Sequence, residues 1–266
     1  MIRDEALDVN DGIANWGTDH VLLLYSFFKI VYVKLMPRRP RIIVPGAPLH
    51  IIQRGNNRQA CFFAEEDYLF CLDWLKEYAK KTRCTVHAYV LMTNHVHLLL
   101  TPKKKDSAGS LMKRLGQRYV QYVNRTYQRS GTLWEGRFRS CIIQQETYLF
   151  TCQRYIEMNP VRAGMVQHPG EHRWSSYRAN GQGEKSELIT PHPLYTELGK
   201  TDTTRAQAYR ALFQAELDPD EIDKIRKATN GNFSLGDTRF HTEISQMLGR
   251  RVTPGKAGRP KKKEQE

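Results

Sequence analysis

His95-Val96-His97 interrupts an otherwise apolar run, LMTNHVHLLLT, over residues 91–101. In an extended strand successive side chains alternate, so the two histidines share one face and Val96 takes the other. Neutral imidazole is a common ligand of divalent metals, and two such rings side by side can hold an ion. The plainer reading is one satisfied core histidine and one facing solvent, and an H-x-H alone does not choose between them. A second group lies further on, in TYLFTCQRYIEMN. There Tyr155 and Asn159 are four apart, one turn along one helix face, while Leu149, Cys152 and Ile156 form the buried stripe. If the tyrosine face meets the histidines, one site holds a phenol, two imidazoles and a carboxamide oxygen. A phenol with its ordinary pKa of about 10 is a poor nucleophile. A metal ion and nearby arginine can stabilise the phenolate and the charge developing on a phosphate. Tyr119, Tyr122, Tyr127 and Tyr148 compete for that role. Tyr119 and Tyr122 lie on an apolar helix face and read as core, whereas Tyr148, seven before Tyr155, is the serious rival. Asn159 can also simply cap the helix before Pro160.

These residues need elements to position them. LHIIQRG, from residue 49, reads as a strand ending at the turn Gly55-Asn56-Asn57. Residues 65–82 place Tyr68, Leu69, Cys71, Leu72, Leu75 and Tyr78 at helical spacing. Residues 84–91 form a strand joined through Thr93-Asn94 to the histidine strand, as an antiparallel hairpin. Asp106 or Ser107 caps a helix over 108–127. LWEGRFRSCIIQQ, residues 133–145, reads as a fourth strand with Arg137 and Arg139 on one face and Phe138 on the other. Residues 147–158 form a third helix, stopped at Asn159-Pro160. Strand, helix, two strands, helix, strand, helix is a split βαβ order. It predicts an α+β, ferredoxin-like, four-stranded antiparallel sheet with helices on one face. Beyond it, RWSSY is expected as an ordered loop packing Trp174 on the domain, and residues 181–185 as a linker. Helical segments at 191–217, 218–229 and 240–248 make a C-terminal helical extension.

Lys and Arg number 41 against 28 Asp and Glu, a net charge of +13. That excess calls for a polyanionic partner, with nucleic acid first, because cations that neutralise phosphates release condensed counterions. A hydrophobic fraction of 40% is enough for a core, which excludes a disordered chain. Cys61, Cys71, Cys84, Cys141 and Cys152 are scattered, odd in number and without a C-x-x-C pair. They read as reduced thiols of a cytoplasmic protein, not a disulfide framework or zinc knuckle. The apolar stretch at 21–33 is too short to span a bilayer and carries Lys29, and it lacks the flanks of a signal peptide, so no membrane role is expected. Met36 opens MPRRPR, a natural-looking start, so residues 1–35 read as an upstream extension outside the domain or as an extra element packed on it. Arg38, Arg39 and Arg41 lie in a proline-rich arm that is either a linker or a phosphate contact.

NHVHLLL, LWEGRFRS, RYIEMNPVRAGMV and WSSY, in that order, resemble the single-tyrosine HUH transposases, and in particular the REP-associated tyrosine transposases. The resemblance spans about Met36 to Tyr177 and implies a transposase domain at 36–180; the chain beyond it, matched only loosely, reads as a helical region at 181–250 and a basic tail at 251–266. It implies that His95 and His97 ligate magnesium or manganese, and that Asn159 stands where the family places a polar third ligand, commonly the longer Gln. It implies Tyr155 as the nucleophile, ahead of Tyr148 by motif order, forming a 5′-phosphotyrosine and freeing a 3′-hydroxyl. An imidazole and carboxamide set is unusual for magnesium, so water and substrate phosphate would complete the shell. The family acts on single-stranded DNA folded into hairpins. Aromatics mixed with Arg and Lys suit such a partner, and Arg137, Arg139 and Arg154 are the expected phosphate contacts in a monomer or homodimer, with a solvated strand edge as the plainer reading of Arg137 and Arg139. Arg259 in Gly258-Arg259-Pro260 resembles a minor-groove hook, or belongs to a solvated basic tail. Two other functions compete: a domesticated, non-catalytic DNA-binding regulator, and a zinc hydrolase, which lacks a strong third ligand.

Overall fold

A hairpin over residues 84–102 is the spine of the sheet in this computed structural model, which describes residues 40–255. Strand β1 (Leu49–Arg54) is followed by helix α1 (Glu65–Thr82). Asp67, at the third position of α1, accepts hydrogen bonds from the Phe63 and Ala64 amides at 2.7 and 3.0 Å, supplying the cap that Ala64 cannot. Arg83, in the left-handed conformation, closes the helix. Strands β2 (Cys84–Met92) and β3 (His95–Pro102) then pair antiparallel across the expected two-residue turn. Helix α2 (Ser107–Thr126) crosses the sheet, strand β4 (Arg139–Ile143) joins it beside β1, and helix α3 (Gln145–Glu157) follows. A separate short turn, α4 (Asn159–Arg162), begins at Asn159-Pro160.

Strand order is β2-β3-β1-β4-β5, where β5 is Ser234–Leu235. The first four strands are antiparallel, but β5 runs parallel to β4, so the sheet is mixed and five-stranded, not the four-stranded antiparallel sheet expected. The reason is local: two residues carry no alternation to read, and β5 forms because the left-handed Asn232 turns the chain back after a helix. Nor do the helices keep to one face. Leu49, Ile51, Leu98 and Leu100 pack in one cluster with Leu75, Leu111 and Tyr119 of α1 and α2. Val90, Leu99, Cys141 and Ile143 pack in a second with Leu149, Cys152 and Ile156 of α3. Strands covered on both faces read as continuous apolar runs rather than alternating ones, as β2 and the leucines of β3 do. Each fully buried leucine there contributes ~1.5–3 kcal/mol of burial. The fourth strand is also shorter than expected: residues 133–138 form a loop that breaks at Gly136, with φ of 86°.

After α4, Trp174 stacks on Tyr68 at 4.7 Å and its carbonyl accepts from the Leu91 amide at 2.9 Å. Helix α5 (Tyr177–Gln182) takes up the start of the expected linker and ends at left-handed Gly183. Helices α6 (Pro193–Thr196), α7 (Asp202–Ala211), α8 (Pro219–Gly231) and α9 (Thr238–Leu248) complete the described chain. Ile225 and Ala228 of α8 bury against the second cluster, which brings the C-terminal region onto the face that carries the histidines. No helix among the described residues is long and apolar enough to cross a membrane. The expectations for residues 1–35, Arg38, Arg39 and Arg259 fall outside the described residues.

Candidate active site on the histidine face

Alternation along β3 sends His95, His97 and Leu99 to the α3 side and Val96, Leu98 and Leu100 to the α1–α2 side. On neighbouring β1, Ile52 lies opposite His97 and Arg54 opposite His95, so His50 sits diagonally from His97. His50 and His97 stack with centroids 5.0 Å apart, and His50 Nε2 is 2.8 Å from His97 Nδ1. His95 stands edge-on to His97 at 5.0 Å. Helix α3 lays Tyr155 over this group, its ring 5.7 Å from both His50 and His97. One turn later Asn159 donates its amide to the Tyr155 carbonyl at 3.0 Å.

A cavity of about 220 Å³ is lined by His50, His95, His97, Tyr155, Asn159 and Arg226, with Ile52, Arg54, Thr229 and Asn230 completing it. Of the tyrosines weighed as nucleophiles, Tyr155 alone lines it. Tyr148 packs at the margin of the second cluster, and Tyr119, Tyr122 and Tyr127 all lie on the other side of the sheet. Burial and then the Arg162 charge hold His50 down to about 3. Burial, then Arg54 and Arg162, hold His95 down to about 4, against a side-chain hydrogen bond with Asn159. Burial, then the His50 and His95 rings, carry His97 well below the ordinary imidazole value. All three rings are therefore neutral near pH 7, as metal ligands must be.

The hydrogen bonds of His95 leave one nitrogen over. Asn94 donates Nδ2 to the Arg58 carbonyl at 3.0 Å, which turns its Oδ1 toward His95 Nδ1 at 2.6 Å. An amide oxygen only accepts, so the His95 proton sits on Nδ1 and Nε2 presents a lone pair. Asn159 spends its Nδ2 on the Tyr155 and Ile156 carbonyls, so its Oδ1 is the atom left for His95. Both atoms carry lone pairs of the kind a cation binds. Among the described residues no three His, Cys, Asp or Glu side chains are grouped to hold a metal, so any ion here would rely on the carboxamide and on groups from outside the chain.

The other expected contacts are dispersed. Arg41 donates to the Phe138 carbonyl at 2.9 Å and lies 3.5 Å over the Phe138 ring. With Arg137 and Trp134 it lines a larger cleft, about 600 Å³, on the α2 side and away from the histidines. Arg139 reaches Asn230 at 3.2 Å, near the rim of the histidine cavity. Arg154 points elsewhere, donating to the Ala215 carbonyl and lying 5.9 Å from the Phe213 ring.

Three residues escape a reading of sequence. His50 sits in a strand whose partner register is set only in three dimensions. Arg162 lies 4.2 Å over the Tyr155 ring and donates to the Tyr155 carbonyl at 3.2 Å, and its buried Nε and Nη1 have no partner among the described residues. Its position, seven after Tyr155, would have marked it had the helix been continued through Pro160. Glu157, fully buried, accepts from Ser176 at 2.5 Å, Asn180 at 2.8 Å and Tyr209 at 2.8 Å. It ties α3 to the WSSY loop and to α7.

Residues 44–159 match a family described as "Transposase IS200 like". No curated protein matches the chain. Among solved structures it is similar to a REP-associated tyrosine transposase bound to a REP hairpin, at 16% identity over 59% of this chain and 93% of that one, with a TM-score of 0.49. It is also similar to a protein assigned as a transposase from Deinococcus radiodurans R1, at 23% identity over 46% of this chain and 96% of that one, with a TM-score of 0.33.

Proposed function

We propose that the protein, whose residues 44–159 match the IS200-like transposases, cleaves and rejoins single-stranded DNA at hairpin-flanked sites through a covalent link to Tyr155. The observation that supports this reading is the shared cavity of about 220 Å³, which Tyr155, His95, His97 and the Asn159 carboxamide line together. The Tyr155 oxygen attacks the scissile phosphorus. The P–O3′ bond breaks as the Tyr–O–P bond forms, leaving the 5′ phosphate on the enzyme. The phenolic proton goes to solvent, and the departing 3′ oxygen gains one from solvent to become a hydroxyl. Attack of a 3′-hydroxyl on the phosphotyrosine reverses the step and joins strands.

His95, His97 and Asn159 would hold magnesium or manganese, which when bound polarises and orients the scissile phosphate. Arg162 contributes fixed positive charge beside the tyrosine, and its two unpartnered N–H groups suit phosphate oxygens. Arg139 and Arg226, at the cavity and its rim, supply backbone contacts.

The test is covalent trapping. The protein is mixed with hairpin-bearing single-stranded DNA, with manganese, magnesium or EDTA, and run on a denaturing gel. A metal-dependent protein–DNA adduct, lost in Tyr155→Phe while hairpin binding persists, is the expected result. An adduct that survives Tyr155→Phe and disappears in Tyr148→Phe would reassign the nucleophile. Tight binding with no adduct under any condition would favour the non-catalytic regulator instead.

A further inference from the structure

We propose that His50 and Thr229 form a hydrogen-bond relay that locks His97 in the tautomer whose Nε2 lone pair faces the cavity. The relay includes a helix outside the matched transposase segment, and it rests on the reading of His97 as a metal ligand.

The proton order follows from one end of the relay. The Thr229 hydroxyl donates to the Ile225 carbonyl at 2.7 Å, one turn back in α8. Its single proton is thus committed, and toward its other neighbours Thr229 Oγ1 can only accept. His50 Nδ1 lies 2.9 Å from that oxygen and must be the donor. Both rings are buried, with 0% and 2% exposure, and among the described residues no carboxylate bonds to either; the charged groups around them are Arg54, Arg162 and Arg226. They are therefore neutral, with one N–H each. With its proton on Nδ1, His50 offers only a lone pair at Nε2, so His97 Nδ1, 2.8 Å away, carries the other proton. His97 Nε2 is left bare.

His95 reaches the same state by a shorter path, through Asn94. The two would-be ligands thus have separate outer partners: a loop amide for His95, and a ring plus the C-terminal helix for His97. Ligating histidines generally donate their second nitrogen to such a partner, and losing it costs ~10–100-fold in metal affinity. Family membership over 44–159 covers His50 but not Thr229. The C-terminal region therefore takes part in the site as a positioning element and not only as a cover.

The test uses the full chain and two readouts. Long-range ¹H–¹⁵N spectra of the histidine rings, recorded without metal, report each tautomer directly. Manganese affinity is read from the EPR signal of free Mn²⁺. In the wild-type protein His97 is expected as a single Nδ1–H form. His50→Leu should release it to a mixture and weaken manganese ~10–100-fold. His50→Gln, which keeps an acceptor, should restore affinity to within a few-fold. Thr229→Val should act in the same direction as His50→Leu, and Thr229→Ser should behave as wild type. Hairpin binding in EDTA should be equal across the set, which separates positioning from collapse of the fold. A wild-type His97 protonated at Nε2 overturns the relay, without reference to any variant. So does unchanged manganese affinity in both His50→Leu and Thr229→Val, if His97→Ala abolishes it. If His97→Ala binds manganese normally, the ligand reading fails and takes the relay's role with it, even where the wild-type tautomer is as described.

Discussion

Each side of the sheet buries a carboxylate, and the two sides use polarity differently. On the α1–α2 side Asp67 is saturated by two backbone amides and by the hydroxyls of Tyr122 and Tyr127, at 2.8 and 2.9 Å. Tyr119 spends its hydroxyl on the Cys61 carbonyl at 2.6 Å. Those phenols are committed to holding structure. On the α3 side Glu157 is saturated in the same way, but two residues before it Tyr155 lines a cavity with three imidazoles and a carboxamide, and the Arg162 guanidinium over its ring has two N–H groups without partners among the described residues. Closed polar networks specify packing, whereas groups left open inside a cavity indicate chemistry. The presence of tyrosine, histidine or a buried acid does not separate the two sides; the difference is what remains unpaired.

The largest effect that tests this difference is the loss of the phenol oxygen. Tyr155→Phe should eliminate covalent adduct while leaving hairpin affinity within about twofold, since only a nucleophilic atom is removed. Filter binding and a denaturing gel on the same preparation check both halves. Persistence of the adduct would erase the distinction between the faces.

Next comes Arg162. Among the described residues its Nε and Nη1 have no partner, which leaves them open to a ligand. Arg162→Leu should slow cleavage by ~10²–10³-fold, the range for removing one charge-stabilising donor. Thermal stability should hold or rise, because a buried charge without full pairing is removed. A drop in melting temperature with normal cleavage would make Arg162 a packing residue, like the phenols of the opposite side.

Much of the architecture was legible because it is local. The hairpin follows from a two-residue turn between apolar runs, and the long helices from their 3.6-residue spacing. The histidine pair follows from alternation alone. What escaped depends on chain segments meeting at a distance. The two-residue β5 has no pattern of its own, and its parallel pairing changes the class of the sheet. The one-faced layout was expected even though CTVHAYVLM, buried almost throughout, is the mark of a strand covered twice. His50 was hidden because a diagonal contact needs the β1–β3 register, and Thr229 because its helix returns from far along the chain.

Glu157 offers a smaller test, through pH. Burial lifts its carboxyl to about 7, against the opposing hydrogen bonds from Ser176, Asn180 and Tyr209. Its folded pKa lies above the unfolded value, so its proton favours the fold. That contribution is complete below about 4.5 and is lost as pH rises through about 7. At 1.36 kcal/mol per pKa unit the swing is ~3 kcal/mol. The buried histidines run the other way: His50, His87 and His95 are held at about 3, 4 and 4, so their contribution is present above about 6.5 and lost on acidification. Comparing wild type with Glu157→Gln cancels the histidine part. Urea unfolding at pH 5 and pH 7.5 should show the Gln variant gaining ~2–3 kcal/mol relative to wild type at the higher pH. Parallel curves would mean that Glu157 is already ionised at pH 5, held by its three donors.

The smallest expected effect is Tyr119→Phe, the mirror of the first. The Tyr119 ring packs against Phe62 at 5.2 Å and Trp134 at 5.8 Å, contacts that phenylalanine retains. Only the 2.6 Å bond to the Cys61 carbonyl is lost. A net intramolecular hydrogen bond is worth ~1 kcal/mol, rising toward ~2 when a buried carbonyl is stranded. Urea denaturation should therefore show a lower midpoint with an unchanged slope. Covalent trapping should give as much adduct as wild type, because this hydroxyl is spent inside the core on the far side of the sheet. The pair of phenylalanine variants then separates two uses of one side chain: all activity and little stability at Tyr155, some stability and no activity at Tyr119. Loss of adduct in Tyr119→Phe, with the fold intact, would show that the two faces are coupled through β3 and that closure of a polar network does not mark a residue as merely structural.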